Sequence, residues 1–364
     1  MVASSGEFWK GKRVLVTGNT GFKGSWLSLM LSRAGADVTG FSLPPPTQPN
    51  LFTLARVESH VPTFHGDIND PAALADAFAD SVPEIVLHLA AQTTVRRSYA
   101  DPVETFRTNV IGTINVLEAV RATPSVRTVV MVTTDKCYEN NEWLWGYREN
   151  EPMGGSSDPY SASKACAELA VASYRRSFLS AAVGRPIGLA TARAGNVIGG
   201  GDWTPDGLLT DLVGSLGNGS PTQIRNPEAV RPWQHVLDCL SGYLRLAEAL
   251  HGDAGAFSEA FNFGPYDQDA KPVRWIADRL TGSSGLLGGG SWRLADGAQP
   301  HEAQSLKLDS SKARALLHWR PRLRLDGALC LVADWVKAWR AGQDMRAFTE
   351  AQIQAYLALP PTEV

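Results

Sequence analysis

Arg13-Val-Leu-Val-Thr17, followed by Gly18-Asn-Thr-Gly21-Phe-Lys-Gly24, decides how this chain is read. The first five residues are apolar and β-rich and predict a strand. The next seven predict a tight glycine turn and the start of a helix. Gly18 permits the turn, Gly21 lets backbone approach a ligand with no Cβ in the way, and Gly24 lets the helix lie close to the sheet. The helix then points its positive dipole end at whatever sits in the turn, which suits the pyrophosphate of a dinucleotide. Gly18, Thr20, Gly21, Phe22 and Lys23 are therefore the candidate cradle. The spacing is G-x-x-G-x-x-G, and a glycine triplet alone also fits an ordinary strand-to-helix turn.

The chain beyond this turn supplies the context that the turn needs. Short β-rich runs at 37–41, 63–65, 85–89, 128–133 and 187–193 alternate with helical patterns. The first helical stretch opens near Trp26. Three later helices begin at Asp70-Pro71, Asp101-Pro102 and Asp158-Pro159, each with aspartate as cap and proline in the first turn. Glu104 completes a capping box on the second of these, which runs to about Arg121. This alternation predicts an α/β fold, a doubly wound parallel (Rossmann) sheet with ligands beyond the carboxyl ends of the strands. After Asn196 the pattern loosens into short elements rich in glycine and proline. The expected division is a dinucleotide-binding domain over 8–195, with return segments near 232–265. A smaller, interleaved α/β substrate domain takes 196–231 and 266–350. The glycine- and serine-rich stretch 282–290 reads as a flexible surface loop.

Bulk properties narrow the function. A formal charge of −3 provides no basic field for nucleic acid. No apolar run is long enough to cross a bilayer, and residues 1–9 lack the apolar core of a signal peptide. The four cysteines, Cys137, Cys166, Cys239 and Cys330, are scattered. That pattern argues against a metal site or a disulfide framework and fits a reducing cytoplasm. Cys166 and Cys239 fall in helical patterns as small core residues.

Two clusters carry chemistry. Tyr160 and Lys164 are spaced i,i+4 in the first turns of a helix and so share a face. A tyrosine with pKa near ~10 becomes a base at neutral pH only if lowered by about three units, roughly 4 kcal/mol. One ammonium about 4 Å away supplies about that much at an effective dielectric near 20. Lys164 is therefore expected to make Tyr160 a working base, aided by a cationic nicotinamide. Thr133-Thr134-Asp135-Lys136 ends the fifth strand at the ligand-facing edge. Thr134 can bond a substrate hydroxyl, Asp135 can deliver a proton, and Lys136 can take one. Isolated, the first cluster would be a surface pair and the second a polar strand end. It is the glycine turn and the strands before them that give them meaning.

The glycine turn, Tyr160/Lys164 and Thr134 together resemble the extended short-chain dehydrogenases/reductases. Within that family the chain looks like the sugar-nucleotide 4,6-dehydratases. The resemblance rests on Gly21-Phe-Lys-Gly-Ser-Trp26, Thr134-Asp-Lys-Cys-Tyr-Glu-Asn140, Gly199-Gly-Gly-Asp-Trp203 and Ile224-Arg-Asn-Pro227. Arg231-Pro-Trp-Gln-His-Val236 and Lys307-Leu-Asp-Ser-Ser-Lys312 add to it. The resemblance implies NAD as cofactor and CDP-glucose as substrate. Tyr160 would take the 4-hydroxyl proton, Lys136 the C5 proton, and Asp135 would expel the 6-hydroxyl as water.

It also implies contacts. Asp67 and Ile68 would meet the adenine side of the cofactor, and Leu89, Ala90 and Ala91 the nicotinamide side, with Tyr160 and Lys164. Asn109, Asn196, Arg225 and Arg231 would serve the sugar nucleotide. Val103, Phe106, Val110, Ile114 and Leu117 form a helical stripe, which is either core or the face that pairs two copies. The family arrangement implies a homodimer or a dimer of dimers. Two positions depart from the pattern. Ser42 ends the second strand where an acidic residue would hold the adenine ribose, and Ser157 replaces a histidine before Asp158. The rival readings are a sugar-nucleotide 4-epimerase, which needs no Asp135-Lys136 pair, and a non-catalytic NAD-binding regulator, which needs neither cluster.

Overall fold

In β1 (Arg13–Thr17) successive residues face opposite ways: Val14 and Val16 enter one core and Leu15 the other. β4 (Ile85–His88) and β5 (Thr128–Val132) repeat this, with Ile85, Leu87 and Val130 on one side and Val86, Val129 and Met131 on the other. A sheet apolar on both faces needs cover on both faces, which is why its strands are nearly unbroken apolar runs. The computed structural model describes residues 5–154, 158–180, 184, 186–296 and 304–362. Its main sheet has seven strands, all parallel. The remaining members are β2 (Asp37–Ser42), β3 (Thr63–His65), β6 (Gly188–Ala194) and β7 (Ala260–Phe263), in the order β7-β6-β5-β4-β1-β2-β3.

The helix after β1 runs Phe22–Arg33, opening four residues before Trp26. The Gly21 carbonyl already accepts from Ser25 N–H at 2.9 Å, so the glycine turn feeds directly into the helix. The aspartate caps are realised: Asp70 accepts from Ala72 and Ala73 N–H, Asp101 from Glu104 N–H, and Asp158 from Ser161 N–H. The helix from Pro102 to Ala122 contains a π-turn at Arg107–Ile111. The extra residue in that turn shifts the phase of the expected stripe. Leu117 is buried, whereas Val103 is 76% exposed and Phe106 and Ile111 also face outward.

Beyond Asn196, three two-stranded ribbons form. Val197–Ile198 pairs with Gln234–His235, Thr222–Ile224 with Trp292–Leu294, and Val230–Pro232 with Ala270–Pro272. Val236–Gly252 returns to cover the sheet, contributing Leu240, Tyr243 and Leu246 to the core that holds β1 and β5. Leu325–Arg340 locks the segment 199–203: a Cβ at Gly200 would stand 2.0 Å from Trp335, and Trp26 Nε1 donates to the Gly200 carbonyl at 2.9 Å. The stretch 282–290 is a series of hydrogen-bonded turns held by buried Leu287 rather than a flexible loop. Cys239 is buried, but Cys166 is only half-buried, so it is not the core residue its helical position implied. Among the described residues, no helix is long and apolar enough to cross a membrane.

Candidate active site

The carboxyl ends of β1, β4, β5 and β6 open onto one cleft of about 2200 Å³. Four parallel strands end along this edge of the sheet, and the chain leaves each as a loop. These loops place Gly18, Leu89, Thr133 and Gly195 around a single cavity.

The glycine turn forms one wall. Gly18 has φ +75°, and a Cβ there would stand 2.7 Å from Ala90 N. A Cβ on Gly24 would lie 2.0 Å from the Gly18 carbonyl oxygen. Gly24 therefore closes the turn upon itself, where the sequence suggested close approach to the sheet. Gly21 caps the helix with no side-chain bond, leaving first-turn N–H groups directed at the cleft. Thr20, Gly21, Phe22 and Lys23 line this wall, and Asp67 and Ile68 stand beside it. Leu89, Ala90 and Ala91 line the cleft above β4. This cradle fits a dinucleotide: extended backbone, small residues and a helix N-terminus meet with no side chain across the turn. Ser42, in place of an acid, is turned to Thr20, whose Oγ1 lies 2.7 Å from Ser42 Oγ and donates to the Leu43 carbonyl at 2.8 Å.

Tyr160 and Lys164 project from Pro159–Ser177 into the cleft. Burial pushes the Tyr160 phenol up, while a hydrogen bond with Thr134 draws it down. The expected lowering by Lys164 is not what this arrangement gives. Lys164 Nζ is turned to the Val132 carbonyl at 3.4 Å, and burial and then Lys23 bring the lysine down to about 8.

Thr134 caps a single 3-10 turn, Asp135–Cys137. Thr134 and Lys136 line the cleft, and Asp135 lies just beneath, almost fully buried. Burial raises the Asp135 pKa; Lys136, the Thr134 hydroxyl, Arg231 and Lys23 oppose it. A buried carboxyl of this kind keeps its proton to higher pH and suits a proton donor. Its Oδ2 has no hydrogen-bond partner among the described residues and lies toward Gly195, which lines the cleft.

Asn196, Arg225 and Arg231 also line the cleft. Arg231 is buried and donates to the Val230 carbonyl at 2.9 Å. Asn109 is not among the residues that line the cleft. Its carboxamide accepts from Gln92 N–H at 2.9 Å and donates to the Gln92 carbonyl and Ser163 Oγ, both at 2.9 Å. Those bonds consume a buried side chain, so Asn109 ties the loop after β4 to the Tyr160 helix. Ser157 lies outside the described residues.

Sequence reasoning overlooked three groups. Arg96 and Asp206 form an ion pair at 2.9 Å, with both residues in the cleft wall. Asp202 lines the cleft and accepts from Thr204 through both N–H and Oγ1. Glu168 and Arg193 form a buried pair behind the strand ends. Only Glu168 carried a signal, its position four residues beyond Lys164 on the same helical face.

A Rossmann sheet with a glycine cradle, a Tyr-x-x-x-Lys helix and a polar β5 end defines a nucleotide-dependent oxidoreductase-like enzyme class. Residues 14–264 match the NAD dependent epimerase/dehydratase family, and the chain belongs to it. The CDP-glucose 4,6-dehydratase of Salmonella typhimurium is 50% identical over 354 residues, covering 97% of this chain and 98% of that protein. The dTDP-glucose 4,6-dehydratase of Streptomyces venezuelae, solved with NAD, superposes with a TM-score of 0.74 at 25% identity, covering 91% of this chain and 99% of that one. The UDP-glucose 4-epimerase of Thermus thermophilus, also solved with NAD, shares the fold at a TM-score of 0.76 and 24% identity, over 89% and 99% of the two chains.

Proposed function

We propose that the chain is a hydro-lyase that converts CDP-D-glucose to CDP-4-dehydro-6-deoxy-D-glucose, with NAD as a cofactor regenerated in each turnover, in deoxysugar biosynthesis. The observation that carries this reading is Asp135-Lys136 at the end of β5, beside Thr134 and Tyr160, in a chain half identical to a CDP-glucose 4,6-dehydratase. An epimerase needs no acid/base pair for C5 and C6. When bound, NAD would supply a reversible hydride acceptor and a ring charge that favours the Tyr160 phenolate.

The residues divide the proton work. Tyr160 takes the proton of the sugar 4-hydroxyl, and Thr134 orients that hydroxyl. Oxidation at C4 acidifies the C5 hydrogen, which Lys136 removes. Asp135 gives its proton to the departing 6-hydroxyl, which leaves as water; C6 then regains the hydride that C4 gave up and Lys136 returns a proton to C5, while the proton kept by Tyr160 offsets the one that Asp135 spent. One water is lost and no net redox change remains. Arg231 and Arg225 suit the pyrophosphate, because a guanidinium fork meets oxygens in pairs. The cradle over 8–195, with 232–265, takes the cofactor, and 196–231 with 266–350 takes the sugar nucleotide.

The working unit in this reading is a homodimer in the cytoplasm. Pairing of the helices Pro102–Ala122 and Pro159–Ser177 with a second copy would cover Val103, Phe106, Ile111 and Leu169, which are exposed in the single chain. The test is incubation of the purified protein with CDP-glucose and NAD, followed by the alkaline ultraviolet absorbance of a 4-keto sugar. Appearance of that absorbance only with both components supports the reading. Its absence, with epimerised sugar instead, assigns the chain to the epimerases.

A further inference from the structure

The helix Pro159–Ser177 and the end of β5 meet at three levels. Tyr160 and Thr134 both line the cleft, near enough for Thr134 to act on the phenol. Lys164 Nζ donates to the Val132 carbonyl at 3.4 Å. One turn further on, Glu168 Oε1 accepts from Thr133 Oγ1 at 2.5 Å. Tyr160, Lys164 and Glu168 are spaced i, i+4 and i+8, so they form one stripe along the helix. The stripe begins in the cleft and ends in the protein interior.

Glu168 is fixed from every side. Arg193, on β6, donates through Nε to Oε1 at 2.8 Å and through Nη2 to Oε2 at 2.9 Å. Thr191, also on β6, donates to Oε2 at 2.8 Å. The two charged side chains are only 2% and 4% exposed. Arg193 Nη1 also donates to the Tyr138 hydroxyl at 2.8 Å and to the Glu149 carbonyl at 3.0 Å. None of Glu168, Arg193 and Thr191 lies in the cleft wall. A buried ion pair adds little stability over apolar residues of similar volume, so packing alone does not call for this one. What it does provide is direction. The carboxylate grips the residue immediately before Thr134-Asp135-Lys136.

We infer that Glu168, held by Arg193, is a positioning residue: through Thr133 it sets the exit of β5, and so the placement of Thr134, Asp135 and Lys136 against Tyr160. The inference rests on the dehydratase reading for its chemical consequence, though not for its geometry.

Two matched substitutions separate positioning from structure. Thr133→Val and Thr191→Val each remove one hydroxyl donor to Glu168 at nearly constant volume, and each leaves the ion pair intact. They are expected to lower Tm alike. Thr133→Val is expected to lower kcat between about tenfold and a hundredfold at unchanged KM, the scale of a small misplacement of reacting groups. It should also speed amide hydrogen exchange over residues 133–137. Thr191→Val should leave both at the wild-type level, and Thr133→Ser, which restores the donor, should recover kcat. Equal kcat losses in the two valine variants, or none in either, overturn the inference. A rise in KM confined to Thr133→Val also overturns it, since Thr133 would then touch substrate. Should the wild-type protein not act on CDP-glucose, the dehydratase reading fails, and the exchange comparison alone decides: equal exchange over 133–137 in both valine variants refutes positioning.

Discussion

Asp135 accepts from Thr134 Oγ1 through Oδ1 at 3.1 Å, while its buried Oδ2 is left without a partner among the described residues. A carboxylate so placed is poorly solvated, and burial raises its pKa despite nearby Lys136. The active form is the protonated one, so activity that depends on it is present below the raised pKa and declines as pH rises through it. Asp135→Asn is expected to lower kcat by a factor on the order of 10²–10⁴ and to remove that basic limb from the residual rate. The measurement is kcat against pH for both proteins. A basic limb that survives in the variant assigns it to another group.

Tyr160→Phe deletes the hydroxyl that stands in the cleft with Thr134 and leaves the ring in its buried seat. Turnover should fall by a factor on the order of 10²–10⁴, the usual worth of a positioned acid/base. NAD affinity, followed by fluorescence titration, should stay nearly constant. Turnover near the wild-type level would remove Tyr160 from the proton path.

The sheet was legible because its signals are local. Apolar runs fixed the strands to within a residue or so, and Asp-Pro pairs marked three helix starts. The π-turn at Arg107–Ile111 was not legible, since a single inserted residue leaves no mark in a helical pattern. The bonds of Asn109 were hidden for a related reason. Its place on the helix was readable, but its partners Gln92 and Ser163 come from a loop and a neighbouring helix that only the folded chain brings together. Glu168 was hidden differently: a glutamate on a helix ordinarily faces water, and nothing local reveals Arg193 on the adjacent sheet strand. The Tyr160 pKa is likewise set by burial, which spacing along the helix does not report.

Lys136→Ala is expected to divide the reaction. C5 deprotonation should stop, while oxidation at C4 continues through Tyr160. A stopped-flow trace should then show reduced cofactor forming and persisting after CDP-glucose is added. Rapid incorporation of solvent deuterium at C5 in that variant would show that another residue is the base.

Away from the cleft, Asp238 couples stability to pH. Its carboxylate accepts from Arg322 N–H at 2.6 Å, from Leu323 N–H at 3.3 Å and from Tyr356 OH at 2.8 Å, tying Val236–Gly252 to the C-terminal helix. Burial raises it to about 6 from 3.8. The folded state therefore holds this proton more tightly than the unfolded state. The stabilisation is full below about 3.8 and is lost as pH rises through about 6, with a ceiling of about 3 kcal/mol. Asp238→Asn carries no titrating proton. The difference in Tm, variant minus wild type, should rise between about pH 4 and pH 7. A difference that is flat across that range would mean Asp238 titrates as an exposed acid.

The base of the sugar nucleotide sets a test of specificity. CDP-, UDP- and dTDP-glucose share the pyrophosphate and the sugar, so Arg231, Tyr160 and the β5 end should treat them alike. Discrimination then falls to whatever meets the base edge. Cytosine presents a 4-amino donor where uracil and thymine present an acceptor. A site with a buried acceptor there leaves it unpaired against the wrong base, and such a mismatch can outweigh many shared contacts. Residues from about Gly199 to Arg231 are expected to meet that edge, and of these Arg225 and Asn226 line the cleft beside Ile224. Backbone carbonyls are the natural acceptors, since they cannot ionise and cannot turn away. The expected outcome is kcat/KM for CDP-glucose at least about a hundredfold above the other two, measured on one preparation. Parity with dTDP- or UDP-glucose would overturn the choice of base and leave the division of proton work among Tyr160, Lys136 and Asp135 standing.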